Sequence, residues 1–357
     1  MIKIITVLGA RPQFIKASAL SKLIKKDKRI KEIIIHTGQH YDEDMSKIFF
    51  KELGIPKPKY NLNIKSKFHG EMIGKMIMGI EKLLIYEKPN YVIVYGDTNS
   101  TLAGALAAKK LNIAVIHIEA GLRGFNQNMP EEINRVLTDH SSSILFVPSK
   151  LAKKNLKKEG FSNKKIFNVG DIMYEVYLKQ NRKLINNKDN FDILVTIHRA
   201  ENTNFKKKLI NIIFNLNELS KKFKIIFPIH PRTKNILKKY NILNLLDKKI
   251  TIIKPLAYHQ SISILKNSKL LITDSGGMQK ESFFSKVQAL TIRDETEWPE
   301  TIKYGWNRLI KPKSKLIYLN AIKYMNKKGK NTSPYGFGNT SKLILHHIKK
   351  ISYENKI

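Results

Sequence analysis

The chain has 357 residues, 42% of them hydrophobic, which is enough for two domains of ordinary size with real cores. It carries 65 Lys and Arg against 29 Asp and Glu, a net charge of +36, and no cysteine, which excludes disulfides and thiolate metal sites and suits a reducing cytoplasm. No apolar stretch approaches the ~18 residues of a membrane span, and the opening MIKIITVLGARPQF leads into a charged motif rather than a signal-peptide cleavage site.

Residues 3–8 form an apolar run, read as a buried strand, that ends in Gly9-Ala10-Arg11-Pro12. Residues 14–25 are amphipathic and helical. A second strand at 33–36 closes on Thr37-Gly38-Gln39-His40, residues 46–53 read as helix, and 56–67 form a polar, proline-containing connection. Through 69–87, Ile73, Met76, Ile77, Ile80, Leu83 and Leu84 recur at helical spacing. A strand at 91–95 runs into Gly96-Asp97-Thr98-Asn99-Ser100, followed by helix 101–111, strand 114–118 ending at Glu119, helix 131–138 and strand 144–147. After a charged segment at 181–190, strands recur at 193–197, 225–229, 250–253, 270–272 and 290–292. Residues 278–284 read as helix, so Ser275-Gly276-Gly277 are expected in a strand-to-helix turn. Unpaired backbone N–H groups there would meet an anion, and glycine lets a phosphate come close.

The strands are continuously apolar rather than alternating, and helices separate them. That argues α/β architecture with parallel sheets covered on both faces. We expect two doubly wound, Rossmann-like domains at 1–169 and 170–340, with an amphipathic terminal segment, 341–357, packing back on the first. Such domains take ligands beyond the carboxyl ends of their strands, so the active site is expected in the inter-domain cleft.

Polar turns terminate nearly every strand. The first domain supplies the carboxylates Asp97, Glu119 and Glu131; both supply cations and donors, among them Arg11, Lys16, His198, Arg199, His230, Arg232 and Arg293. Carboxylates crowded by like charge have raised pKa values and suit acid–base chemistry, while Arg and His at helix N-termini suit a diphosphate. Each also has a structural reading as a cap, an Asx-turn or a surface ion pair. There is no HExxH and no His–carboxylate spacing for a metal, no GxGxxG for a dinucleotide and no GxSxG for a serine hydrolase. The lysine excess is spread along helix faces beside abundant Asn and Ile, as an AT-rich genome tends to produce; it does not identify a nucleic-acid binder.

The stretches GARPQFIKAS, HTGQHYD, VYGDTNSTLAGALAA, HIEAGLR, MPEEINRVLTD, TIHRAENT, PIHPRT, TDSGGMQKE and IRDETEWPE, in this order, resemble the non-hydrolysing UDP-N-acetylglucosamine 2-epimerases. The resemblance implies a glycosyltransferase-B-type fold. It also implies inversion at C2 of a UDP-linked 2-acetamido sugar, by elimination of UDP to a 2-acetamidoglycal and re-addition, serving surface polysaccharide synthesis. No redox cofactor and no metal belong to that reaction. Carried over by position, Asp97, Glu119 and Glu131 match the catalytic acids and His198 the essential histidine. Arg11 and Lys16 match the first-domain phosphate loop. Ser275, Gly276, Gly277 and Glu281 match the nucleotide site, supported by His230 and Arg293. Which carboxylate takes the C2 proton stays open. The resemblance further implies a cytoplasmic homodimer.

Gln13 stands where the commonest bacterial members have Glu, Ala10 where they have Thr, and Trp298 where they have Arg; Lys286-Val287-Gln288 replaces a glycine-lysine-proline-like turn. Asp42 occupies the place of a glutamine in members activated by their own substrate. The GARPQFIKAS opening and Trp298 resemble a branch acting on UDP-2,3-diacetamido-2,3-dideoxyglucuronate. That substrate, and a glycosyltransferase of the same fold, are the alternatives.

Overall fold

A computed structural model of the chain describes residues 1–39, 54–181 and 190–354. The expected helix at 46–53, and Asp42, lie outside the described residues. The rest divides into two units: Met1–Val176 together with the segment from Ser333, and Tyr177–Thr332.

The first unit is built on seven strands: β1 (Ile2–Leu8), β2 (Ile30–His36), β3 (Tyr60–Asn61), β4 (Tyr91–Tyr95), β5 (Ala114–Ile118), β6 (Ile144–Val147) and β7 (Ile166–Asn168). Their order is β3-β2-β1-β4-β5-β6-β7, with every pairing parallel. Burial on both faces is why these strands read as unbroken apolar runs. On one face Ile5, Val7, Val92 and Val94 meet Met76, Ile80 and Leu84 of the helix His69–Glu87 and the alanines of the helix Asn99–Lys110. That second helix is rich in small residues for a steric reason: a Cβ at Gly104 would stand 3.0 Å from Val94 Cγ1 and 3.2 Å from Val7. The strand order reverses between β1 and β4, so their two turns flank the crevice where doubly wound sheets take ligands.

The second unit repeats the plan with β8 (Ile193–Thr196), β9 (Ile225–Pro228), β10 (Ile250–Ile253), β11 (Leu270–Thr273), β12 (Gln288–Thr291) and β13 (Asn307–Leu309). Its order is β10-β9-β8-β11-β12-β13, again all parallel, and the reversal falls between β8 and β11. The turns at that point are Ile197-His198-Arg199 and Asp274-Ser275-Gly276.

Where the returning chain packs on the first unit, two glycines in the left-handed region meet, Gly170 (φ +83°) and, on the returning segment, Gly336 (φ +84°). A Cβ at Gly170 would stand 2.8 Å from the Tyr335 carbonyl oxygen, so only glycine fits. Glu175 then accepts hydrogen bonds from the backbone N–H (2.6 Å) and hydroxyl (2.5 Å) of Ser341. The terminal helix, Thr340–Glu354, packs on the helix Arg11–Ile24, with Lys349 paired to Asp27 and Ser352 Oγ 3.1 Å from Tyr91 Oη.

Three short strands, β3, β7 and β13, do not stand out in the sequence. Each has two or three residues and lies on a sheet edge, too short for any periodicity. Several helices begin earlier than expected, among them those that start at Arg11, Asn99 and Gly276. Arg11 and Pro12 open the first helix, where proline's missing N–H is harmless. Gly276 and Gly277 lie in the first turn of the helix Gly276–Ser285, not in a loop before it.

Candidate active site

In the first unit the β1 and β4 turns are bound together by Gln13. Its Oε1 accepts from Gly9 N (2.8 Å) and Ala10 N (3.0 Å), and its Nε2 donates to Tyr95 O (3.2 Å) and Thr101 Oγ1 (3.0 Å). All four bonds use the amide's mixed donor–acceptor character, which gives the glutamine at this position a role a carboxylate could fill only in part. Gly9 is closed off: a Cβ there would stand 2.1 Å from both Ser100 Oγ and Thr37 Oγ1. Arg11 sits half-buried at the first position of the helix.

One turn further on, the Lys16 ammonium is buried against Glu119 Oε1. Gly96 makes the room, since a Cβ there would stand 2.9 Å from Lys16 Nζ and 3.4 Å from Glu119 Oε1. Gly96 has φ +66° and Glu119, a residue with a side chain to accommodate, has φ +74°. Such backbone persists only when its surroundings over-determine it, and it concentrates at functional sites. Asp97 follows Gly96 directly. Its Oδ2 accepts from Arg135 Nη2 at 2.6 Å, while Arg135 Nη1 donates to Glu132 Oε2 at 2.5 Å. Asp97 and Glu119 are thus each met by a cation, where like-charge crowding was expected.

The helix Pro130–Ser141 presents Glu131, half-buried, in its first turn. Its neighbour Glu132 is fully buried and accepts from the backbone N–H groups of Gly124 (3.0 Å) and Phe125 (2.8 Å), so it holds the preceding loop. Asn134 Nδ2 bridges the Asp97 carbonyl (2.9 Å) and Asn99 Oδ1 (3.1 Å). Beneath lies a charged chain. His117 Nδ1 is 2.7 Å from Asp139 Oδ1 and Nε2 is 2.8 Å from the Gly96 carbonyl; Arg123 Nη1 reaches Asp139 Oδ2 at 2.7 Å and clasps Glu159. Burial pushes the Asp139 carboxyl up, but the charges and hydrogen bonds of His117 and Arg123 outweigh it and hold the group below the usual range.

In the second unit, the fully buried Asp274 fixes the turn after β8. It accepts from His198 N (3.0 Å), Arg199 N (2.9 Å) and Asn202 Nδ2 (3.1 Å), and its Oδ1 lies 3.4 Å from His198 Nδ1. Desolvation pushes the His198 ring down, Asp274 opposes this, and Arg199 and Arg232 add to it. The ring therefore favours its neutral form, which keeps one N–H donor and one acceptor. His230 lies across from it with ring centroids 5.8 Å apart; it caps its own helix by accepting from Arg232 N at 3.2 Å.

Ser275 caps the helix Gly276–Ser285, its hydroxyl accepting from Met278 N. The two glycines differ. A Cβ at Gly276 would stand 2.3 Å from Glu297 Oε1, whereas one at Gly277 meets only Ser275 Oγ at 3.9 Å. Glu297 is held in turn by Arg293 Nη1 at 2.9 Å, so the buried Arg293 supports the glycine turn through Glu297. Glu281 is buried in the second turn, and the Lys280 ammonium lies 3.9 Å from the centroid of the buried Trp298 ring. Among the described residues no group of three or more His, Asp or Glu is arranged to hold a metal ion.

A family model described as UDP-N-acetylglucosamine 2-epimerase matches residues 22–349. The chain belongs to the UDP-N-acetylglucosamine 2-epimerase family. A UDP-N-acetylglucosamine 2-epimerase homolog of Methanococcus maripaludis is 49% identical, covering 98% of this chain and 100% of its own. The UDP-2,3-diacetamido-2,3-dideoxy-D-glucuronate 2-epimerase of Pseudomonas aeruginosa is 46% identical over 98% and 100% of the two chains. The crystal structure of Methanocaldococcus jannaschii UDP-GlcNAc 2-epimerase in complex with UDP-GlcNAc and UDP superposes with a TM-score of 0.93 at 45% identity, covering 98% of this chain and 100% of that one. The fold class is accordingly α/β, with two Rossmann-like units of glycosyltransferase-B type.

In this epimerase family member the sequence did not single out the residues around the acids, Arg135, Glu132, Asn134, His117 and Asp139, or, in the second unit, Glu297 beside the glycine turn. A signal existed for His117, a lone polar residue inside the apolar run of β5. Arg135 had one too, four residues past Glu131 on the same helix face.

Proposed function

We propose that the chain interconverts UDP-N-acetylglucosamine and UDP-N-acetylmannosamine without hydrolysis. A carboxylate of the first unit takes the C2 proton as the C1–O bond breaks and the electron pair leaves with UDP. The 2-acetamidoglycal then takes UDP back at C1 and a proton on the opposite face of C2. Asp97, Glu119 and Glu131 are the acids. Lys16 and Arg135 hold Glu119 and Asp97 in place. Ser275, Gly276, Gly277 and Glu281 take the nucleotide, with His198 at the leaving diphosphate, and preorganised donors there stabilise the charge that develops as the bond breaks. The observation that carries this reading is the Gly96 turn, where a cation and a carboxylate converge over a residue with no side chain.

The test is incubation with UDP-N-acetylglucosamine in heavy water. Deuterium at C2 of a UDP-N-acetylmannosamine product is expected. Turnover of the diacetamido uronate alone, or sugar transfer to an added acceptor, would refute it. Asp97→Asn, Glu119→Gln and Glu131→Gln should each keep UDP binding and lose turnover.

A cytoplasmic homodimer completes the reading. Support for self-association comes from the helices His69–Glu87 and Pro130–Ser141, which expose Met78, Ile85, Tyr86, Ile133 and Leu137. Both helices pack on the helix Asn99–Lys110. Among the described residues no helix is long and apolar enough to cross a membrane.

A further inference from the structure

We propose that His117 is a positioning residue for the acids: by holding the Gly96 carbonyl to Asp139, it fixes the Asp97 and Glu119 turns against the helix that carries Glu131. The inference rests on the epimerase reading above.

His117 and Asp139 are both fully buried. The histidine stands on β5 opposite Val94 of β4, two residues before the β4 turn, and its ring reaches past the strand end to Gly96 O. Gly96 is also held from the other side, since its N–H donates to Ile118 O at 3.0 Å. Asp139 uses its second oxygen on Gly121 N at 3.1 Å, which closes the turn beginning at Glu119. One His–Asp pair therefore touches the residue before Asp97, the turn at Glu119 and the helix of Glu131. One of these places, Glu119, is left-handed backbone on a residue with a side chain, which relaxes unless anchored.

Both ring nitrogens face acceptors, a carboxylate and a carbonyl. A neutral imidazole has a single N–H and satisfies one of them; the imidazolium satisfies both. Asp139's other oxygen also meets Arg123, and Arg123 is shared with Glu159. A histidine that merely filled the core would need only one of these bonds. The bond to Gly96 is the one that bears on the acids, and the two can be separated. Glutamine places an amide N–H where Nε2 stands and can keep the Gly96 bond; asparagine places one where Nδ1 stands and can keep only the Asp139 bond.

The test compares His117→Gln and His117→Asn in the full chain, with kcat and KM for UDP-N-acetylglucosamine, UDP affinity by calorimetry, and Tm. Both should lower Tm similarly, because each strands one buried partner. His117→Gln should lose about tenfold or less in kcat, the worth of one hydrogen bond. His117→Asn should lose about a hundredfold or more, the cost of misplacing a reacting group by an ångström. KM and UDP affinity should hold in both. Equal kcat for the two at matched Tm would overturn the assignment. If His117→Asn does not fold, Asp139→Asn takes its place. It keeps the shape but replaces one acceptor, which takes the Gly121 N–H and Arg123, with a donor, so it loosens the same turns and should copy the kcat loss; wild-type kcat there would overturn it equally. A wild-type protein that neither exchanges C2 nor turns over would instead defeat the epimerase reading, before any variant is compared.

Discussion

The two glycines of the second unit allow binding and stability to be pulled apart. Gly277 lies in the first turn of its helix and is not among the residues with positive φ, so alanine can adopt its backbone. The added methyl meets only Ser275 Oγ, at 3.9 Å. Replacing glycine by alanine in helical backbone stabilises by about 0.4–1 kcal/mol, mostly by restricting the unfolded chain. That is worth roughly 1–4 °C in Tm for a unit of this size. If a phosphate packs against the Gly277 backbone, the same methyl stands in its way and removes a charge-assisted hydrogen bond worth about 1.5–3 kcal/mol, or roughly 10–100-fold in UDP affinity. Gly277→Ala should therefore raise Tm in calorimetric scans while weakening UDP in titration calorimetry. Gly276→Ala should do the reverse in its first effect. Its methyl would collide with Glu297, which Arg293 holds, and overpacking of that kind costs about 1–3 kcal/mol. Wild-type UDP affinity in Gly277→Ala would refute the placement of the diphosphate at this helix end.

Breaking the Lys16–Glu119 pair with Lys16→Met should cost about 3–5 kcal/mol, because a buried carboxylate loses the cation paired with it. Adding Glu119→Gln should restore most of that stability but no turnover; chemical denaturation and the heavy-water assay separate the two. Burial pushes the Glu32 carboxyl up against hydrogen bonds from Thr6 and Ser21. With its folded pKa above the unfolded one, the group's contribution is full below the ordinary carboxylate range and is lost as pH rises through the folded value. Glu32→Gln should thus match wild type in Tm at low pH and exceed it increasingly as pH rises through the folded value; a gap that does not change with pH would exclude the mechanism. Met78→Glu with Ile133→Glu should yield monomers in light-scattering chromatography if the homodimer uses the exposed helix faces, and an unchanged dimer would place the interface elsewhere.

The long strands and their polar termini were legible because burial on both faces writes itself into sequence as continuous Val, Ile and Leu, as in β1, β4 and β5. Sequence also marked out Asp97, Glu119, His198 and Ser275-Gly276-Gly277, since each follows such a run. What it could not express is who holds whom. Gln13 reaches 82 residues forward to Tyr95, Arg135 reaches 38 residues back to Asp97, and Asp274 reaches 76 residues back to His198. No local pattern encodes a partner at that distance. Gly276 shows the same limit from another side: its bareness reads as space for a phosphate, yet the closest atom to a Cβ there belongs to Glu297 of the same chain.

The same doubly wound plan occurs twice, and in the proposed reaction the two copies serve opposite halves of one charge movement. In the first unit the turns at the switch point carry acids, each met by a cation that holds it: Lys16 on Glu119, Arg135 on Asp97. In the second, the corresponding turns carry a buried acid, Asp274, whose bonds are spent on backbone N–H groups and Asn202, leaving a helix N-terminus and a histidine that burial disposes toward neutrality. A carboxylate that takes a proton from carbon must be held in place and kept ionised, which a neighbouring cation does. A site that receives a departing diphosphate must present donors and little negative charge. Elimination and re-addition ask for both at once, and reversal of the reaction asks for neither to be consumed. An enzyme that only bound the nucleotide would need the second unit's arrangement alone, and would leave the strained Glu119 backbone of the first without a purpose.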